Sequence, residues 1–483
     1  MASLDKTTVR QEIDRLKNDF ETLRQAGKVS AESMAVMSGL FMIVELMLSI
    51  FLDRSTRKTH RNSSLPSSQT EKDESALSHQ GSQSKGKRLD KRRAVNSRTV
   101  ETVRIAEVSG CEVCGEPLTE VSCLGHERRT KIDIVFEKVI EHVDAEIKEC
   151  PHCHALVKGR FPDDLSGPLQ YGDGLKAFAI NLLVAQMVAL SRVQHLISAM
   201  MSVVIAEATL LKFVLRLHQA LADWEQQAIQ QLLAAPVMHL DETSFRVDRK
   251  NHWIHLYASG DITLKQLHRK RGKAAMEDLN ILPRYGGVIV HDCWASYFAY
   301  EDCEHGLCGS HLLRELTFII EVHNYRWANR MKQLLQETCH RVSKLPEKKL
   351  PDEEWAELQT RYRTIITQGE QELPPIPPKS SGKRGKIAKS DAHNLWERLK
   401  KHEAAVLLFA RNPVVAFTNN RAEQDLRMAK VKQKVSGCFR SEQYAQAYCR
   451  ISSYLQTMAN KGYNPLTAIQ LALAHRIPNM GGE

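Results

Sequence analysis

Between Pro236 and Val290 a largely helical sequence switches to short runs rich in β-branched and aromatic residues, and that switch decides the fold class. Pro236 to Val247, His252 to Ser259 and Ile262 to His268 are each of strand length and are separated by polar or glycine-bearing turns, which predicts three consecutive strands. A helical stretch from Lys273 to Leu282 then leads through ArgTyrGlyGly to Val288, Ile289 and Val290, an apolar run of the kind buried in the middle of a sheet. Strands, a helix and a further core strand predict an α+β layer.

The flanks are helical. Leu175 to Leu233 holds no proline, and within it Val193 to Met200, a SerValVal turn and Ala206 to Leu221 suit a helix-turn-helix. They suit a plain helical hairpin packed by Leu and Val equally well. From Leu312 to about Ile366 the pattern is helical and charged. It closes in ProProIleProPro at 374–378 and the basic stretch Lys379 to Lys389, as expected of an inserted helical unit with a stiff exit. Asn394 to Leu473 is expected to form helices broken near Pro413, Gly437 and Gly462.

A chain of 483 residues is too long for one compact core. At its start Val9, Ile13, Leu16, Phe20 and Leu23 alternate in four- and three-residue steps, a heptad seam. Met34 to Leu52 is almost wholly apolar but carries Glu45, and a carboxylate in mid-bilayer is costly. Residues 1–52 are therefore expected to be a helical coiled-coil segment that multimerises, and no membrane partner is expected.

Residues 53–100 follow as a basic flexible linker with 12 basic and 5 acidic side chains. Lys85, Lys87, Arg88, Lys91, Arg92 and Arg93 are either DNA-phosphate contacts or part of a solvated spacer. The net charge of +10 favours a polyanionic partner, nucleic acid or an anionic membrane surface. Eleven cysteines without dense spacing, and no basic-then-apolar opening segment, suggest a reducing cytosol.

Cys111-x-x-Cys114 and Cys150-x-x-Cys153 lie 35 residues apart, and each pair can offer two thiolates to a tetrahedral ion. A structural zinc site in a domain at 101–165 is expected. Ile132, Ile134 and Phe136 alternate like a ribbon strand, Gly115 permits a sharp turn, and His152 and His154 are bystanders. A zinc ion with four protein ligands has no open position, so chemistry must lie elsewhere.

Asp241, in HisLeuAspGluThr, directly follows the expected core run Val237 to Leu240, and Asp292 follows Val288 to His291 in the same way. Successive strand side chains alternate, so Glu242 is expected to face away from Asp241. Two strand-end aspartates can converge, yet a pair of divalent cations needs more oxygen ligands than two. Glu423 is the favoured third donor, on a helical stretch whose one-turn and two-turn neighbours Arg427 and Lys430 offer phosphate contacts. Asp425 lies about 200° around that helix and should point away. Cys308 and His311 have the spacing of half a metal site, with no second half nearby in sequence, and are assigned to packing. Arg314 is either a phosphate contact or a surface charge.

The stretches at 239–247, 291–297 (HisAspCysTrpAlaSerTyr), 308–315 (CysGlySerHisLeuLeuArgGlu) and 419–427 (AsnAsnArgAlaGluGlnAspLeuArg) resemble, in order, the catalytic blocks of the insertion sequence 66 family of bacterial transposases. So do AsnSerSerLeuProSerSer in the basic tract and AlaAsnLysGlyTyrAsnProLeu at 459–466. Gln424, Cys293 and Trp294 depart from the family's usual residues.

The resemblance implies a ribonuclease-H-like core with an Asp-Asp-Glu triad at Asp241, Asp292 and Glu423. Two Mg²⁺ or Mn²⁺ ions would be the catalytic metals. The expected organisation is then a helical region at 166–235, possibly containing the helix-turn-helix, a catalytic domain at 236–440 with a helical insertion at about 316–390, and a C-terminal helical segment at 441–483. The expected activity is strand cleavage and strand transfer on double-stranded DNA, at element ends and target, by a cytoplasmic, nucleoid-associated homo-oligomer. Proteins encoded beside it are possible assistants. The alternatives are a non-catalytic zinc-bearing DNA-binding regulator and a ribonuclease-H-like nuclease or resolvase.

Overall fold

A computed structural model describes residues 101–376 and 389–478, apart from 133, 135, 136, 164 and 166, and isolated positions among the first hundred residues. The heptad seam, save Phe20, and the basic linker with Lys85, Lys87, Arg88, Lys91, Arg92 and Arg93 lie outside the described residues. No described helix is long and apolar enough to cross a membrane. The protein is α+β, and its contacts divide it into two compact units.

The larger unit is built on a five-stranded mixed sheet. Its strands are β3 (Val237–Val247), β4 (Lys250–Ser259), β5 (Ile262–His268), β6 (Val288–His291) and β7 (Glu304–Leu307), in the order β5-β4-β3-β6-β7. Strands β3, β4 and β5 form an antiparallel meander; β6 runs parallel to β3, and β7 parallel to β6. The β3–β4 turn places Asp248 and Arg249 at φ 48° and 58°, the two consecutive positive angles a two-residue hairpin loop demands. The β4–β5 turn uses Gly260 at φ 49°. Strand β7 is an addition to the four strands expected from the sequence.

Helices cover the sheet. The segment before it holds α1 (Asp173–Ile180), α2 (Leu190–Met201), α3 (Glu207–Ala220) and α4 (Ala222–Ala234). The apolar run at 175–233 is therefore not continuous helix: a π turn at Asn181–Ala185 and Met187 at φ 57° break it. Ser202, in a left-handed C-cap, separates α2 from α3. Helix α5 (Lys273–Leu279) links β5 to β6, and α11 (Asn420–Ser436), α12 (Glu442–Asn460) and α13 (Pro465–Leu473) close the unit once α6–α10 have intervened. One apolar core runs through these layers, with Ile180, Leu217, Trp224, Leu240, Ile254, Leu264, Tyr454 and Ile469 all buried.

Helices α6 (Gly309–His323), α7 (Arg326–Lys344), α8 (Asp352–Glu372), α9 (Asp391–Lys401) and α10 (Glu403–Arg411) follow β7. Residues 310–345 and 350–403 of this stretch form the second unit. Its core is aromatic: Trp327 and Tyr362 are fully buried, the Tyr362 hydroxyl donates to Leu399 O at 3.0 Å, and Trp396 Nε1 donates to Ile366 O at 2.8 Å. Gly369 is required there, because a Cβ would stand 2.8 Å from the Trp396 ring.

The cysteine-bearing segment forms a small two-stranded ribbon, β1 (Ile147–Glu149) paired antiparallel with β2 (Leu156–Lys158). The strand expected around Ile132 and Ile134 is not formed at those residues, which lie exposed outside any strand; Phe136 is outside the described residues. The ribbon instead brackets the second cysteine pair, where chain reversal at the knuckle supplies antiparallel neighbours.

Candidate active site

Register brings the two aspartates together. In the parallel pair β3–β6, Val237, Met238 and His239 oppose Val288, Ile289 and Val290, so each β3 residue meets one 51 positions later. Asp241 lies two residues past the last of these pairs and inside β3, not at the strand end expected from the sequence, and Asp292 lies two residues past it, just beyond the end of β6. Both carboxylates take a backbone donor. Asp241 Oδ1 accepts from the Glu242 N–H at 2.8 Å, and Asp292 Oδ1 from the Trp294 N–H at 3.2 Å.

Glu423 arrives on the first turn of α11, and the start of that helix is latched to the sheet by Asn419, itself 2% exposed. Asn419 Nδ2 donates to Leu240 O at 2.6 Å, its Oδ1 accepts from His239 Nδ1 at 2.9 Å, and its N–H reaches Cys308 Sγ at 3.1 Å. The approach to the end of β7 is close enough to require glycine. A Cβ on Gly309 would stand 2.3 Å from the Phe417 ring, and the Gly309 N–H donates to Phe417 O at 2.7 Å. Further along α11, Thr263 Oγ1 donates to Asp425 Oδ2 at 2.6 Å, so Asp425 is turned to β5.

The neighbouring acids bear on Asp241. Asp241 keeps some exposure as a residue, but its carboxyl group is enclosed. That burial first, then the charges of Glu242, Asp292 and Glu423, hold it well above the usual carboxylate range. Negative charge beside an enclosed carboxyl favours its protonated form unless a cation is bound there. A divalent cation with oxygen ligands matches the donor set.

Beside the triad, the Cys308 thiol lies within 4.8 Å of a Glu423 carboxylate oxygen. His311 stands in the first turn of α6. Arg427 is exposed. Lys430 is partly buried; its Nζ donates to Ser244 Oγ at 3.0 Å and to the Ser244 carbonyl, which ties α11 to β3.

Sequence reasoning missed four further residues. Asn419 stands inside a quoted motif, where its place just before a helix was the available signal. Arg271 and Tyr297 both bind Glu242, whose carboxylate is turned to them, and Trp253 lies against Arg271; nothing in their spacing announces this.

Each cysteine pair forms the same knuckle. The Gly115 N–H donates to Cys111 O and the His154 N–H to Cys150 O, both at 2.9 Å, with Gly115 at φ 78° and His154 at φ 57°. Hydrogen bonds from the Cys114 and Cys153 backbones lower the Cys111 and Cys150 thiols, which favours the thiolate form. Among the described residues the four sulfurs do not gather within 4.8 Å of one another. His154 is engaged with Glu149 at 2.7 Å.

The family model described as Transposase IS66 family matches residues 168–447, well over half of the chain. The chain belongs to that family. No curated protein matches it. In this IS66-family transposase the matched span contains Asp241, Asp292 and Glu423 together with Asn419, Arg271 and Tyr297. The cysteine knuckles and α13 lie outside it.

Proposed function

We propose that this protein is a DNA transposase that binds the terminal inverted repeats of its element, cleaves one strand to expose a 3′-hydroxyl, and joins that end to target DNA. The observation that carries this reading is the charge of Asp292 and Glu423 acting at the enclosed Asp241 carboxyl, with Asp241 on β3, Asp292 just past β6 and Glu423 on α11. The strand order, an antiparallel meander extended by two parallel strands, supports the reading of a ribonuclease-H-like core.

Asp241, Asp292 and Glu423 would hold Mg²⁺ or Mn²⁺. Two such ions in a site of this kind supply an activated nucleophile and offset charge on the leaving oxygen of an in-line displacement at phosphorus. The protein's own part is to keep the acids rigid. The Glu242 and Trp294 N–H groups orient the two aspartates, and Asn419 fixes the start of the helix that bears Glu423. Arg427, exposed one turn beyond Glu423, would meet a phosphate of the bound strand, whereas Lys430 would act there only by leaving Ser244.

Zn²⁺ would be held by Cys111, Cys114, Cys150 and Cys153 once the two knuckles, whose sulfurs are not gathered in this structure, are drawn together. The matched knuckles and thiolate-favouring hydrogen bonds support a structural role. The basic linker would add phosphate contacts through Lys85, Lys87, Arg88, Lys91, Arg92 and Arg93. Two element ends must be held at once, which calls for a homo-oligomer in the cytoplasm, at the nucleoid, with or without proteins encoded by the same element.

The test is strand scission on a duplex carrying the element end. Wild type should nick it once Mg²⁺ or Mn²⁺ is added, and Asp241→Asn should lose at least about a thousandfold in rate while end binding persists. A variant that nicks at the wild-type rate removes the assignment. Binding without any nicking by wild type would instead favour a DNA-binding regulator, and preference for junctions without end joining a resolvase.

A further inference from the structure

Glu242 follows Asp241 on β3, and its side chain is only 2% exposed. A carboxylate so enclosed is costly unless both oxygens are satisfied. Oε1 accepts from Arg271 Nε at 2.8 Å and Nη2 at 2.6 Å, and Oε2 from the Tyr297 hydroxyl at 2.5 Å. The Arg271 guanidinium carbon is in turn 4.3 Å from the centre of the Trp294 ring and 5.0 Å from that of Trp253. Trp294 meets the edge of Tyr297, ring centres 5.4 Å apart at 86°.

These contacts join the two ends of the acid cluster. The N–H that orients Asp241 belongs to Glu242, and the N–H that orients Asp292 belongs to Trp294. Arg271 and Tyr297 each touch both residues. Glu242 is buried and Arg271 half-buried, and an ion pair taken out of water contributes little net stability over apolar residues of the same volume, so stability alone does not account for one here. With Nε and Nη2 bound to Glu242 and two indoles against it, Arg271 is committed to this cluster.

The geometry points to Glu242, Arg271 and Tyr297 as positioning residues that set the separation of the Asp241 and Asp292 carboxylates for divalent cations, with Trp294 as the link to Asp292. This rests on the reading of those aspartates as metal ligands. A displaced ligand changes metal affinity, and loss of such outer contacts costs about 10- to 100-fold in binding.

The test is Mn²⁺ titration of the full chain by calorimetry, with melting temperature recorded for every variant. Arg271→Met and Tyr297→Phe should weaken Mn²⁺ binding by about 10-fold or more. The double variant Glu242→Gln/Arg271→Met removes the buried carboxylate together with its half-buried partner cation while keeping an acceptor for Tyr297. It should melt near the wild-type temperature and still bind Mn²⁺ weakly, which separates positioning from folding and serves if Arg271→Met alone does not fold. A folded double variant with wild-type Mn²⁺ affinity overturns the positioning role, provided that Asp241→Asn and Asp292→Asn lose the ion. If those two keep wild-type affinity, the ligand reading itself fails and the positioning role falls with it.

Discussion

Asp241 shares its corner of the sheet with the carboxylates of Glu242, Asp292 and Glu423, and burial together with their charge favours its protonated form in the folded protein. Because the folded-state value is raised above the ordinary 3.8, the unfolded chain loses this proton first as pH rises. Ionising Asp241 therefore costs folding free energy. The cost is absent below the unfolded value and grows up to the raised folded value. Asp241→Asn should consequently raise the melting temperature of the metal-free protein at neutral pH, by about 2–4 °C for each kcal/mol of repulsion removed. Near pH 3 the two proteins should melt together. Thermal melts across that range check this; an equal or lower melting temperature for the variant at neutral pH contradicts it. Asp241 and Asp292 stand out in the sequence because each follows an apolar run, though Asp241 proves to lie inside its strand. The buried partnership of Glu242 was not legible, since Arg271 and Tyr297 are 29 and 55 residues away and no local pattern encodes so long a reach.

Helix α11 carries its function through how it is fastened. Asn419 ties its start to β3, Lys430 ties its middle to Ser244, and Asp425 on the sheet side accepts from Thr263. Asp425 also opposes the burial that lowers the ammonium pKa of Lys265 on β5. Asp425→Ala leaves the buried Thr263 hydroxyl without its acceptor and should cost about 1–3 kcal/mol. Asp425→Asn, which retains the acceptor for Thr263, should cost less. Urea denaturation measures both, and a cost under about 1 kcal/mol for Asp425→Ala would contradict the fastening role. Strands β3 to β6 were legible because β-branched runs and turn residues agree. Strand β7, GluHisGlyLeu, was not, because it is four residues long, has no β-branched side chain and owes its place to pairing with β6. The interruption at Asn181–Ala185 was equally hidden, for its residues AsnLeuLeuValAla would continue a helix without penalty.

At the scale of the whole molecule, sequence reached the α+β class and the family, while the way helices before and after the sheet join its core emerged only from packing. Residues as distant as Ile180, Leu256 and Ile469 share that core, so the site's rigidity is supplied by segments far from the acids. The net charge of +10 suits a polyanionic partner, and in the function proposed above it is the acid corner that would add chemistry to DNA binding. The most direct test of that claim is anomalous scattering from crystals of the full chain grown with Mn²⁺. Density peaks bounded by Asp241, Asp292 and Glu423 are predicted. Ordered side chains with no peak among them, or Mn²⁺ bound to only one of the three, would contradict it.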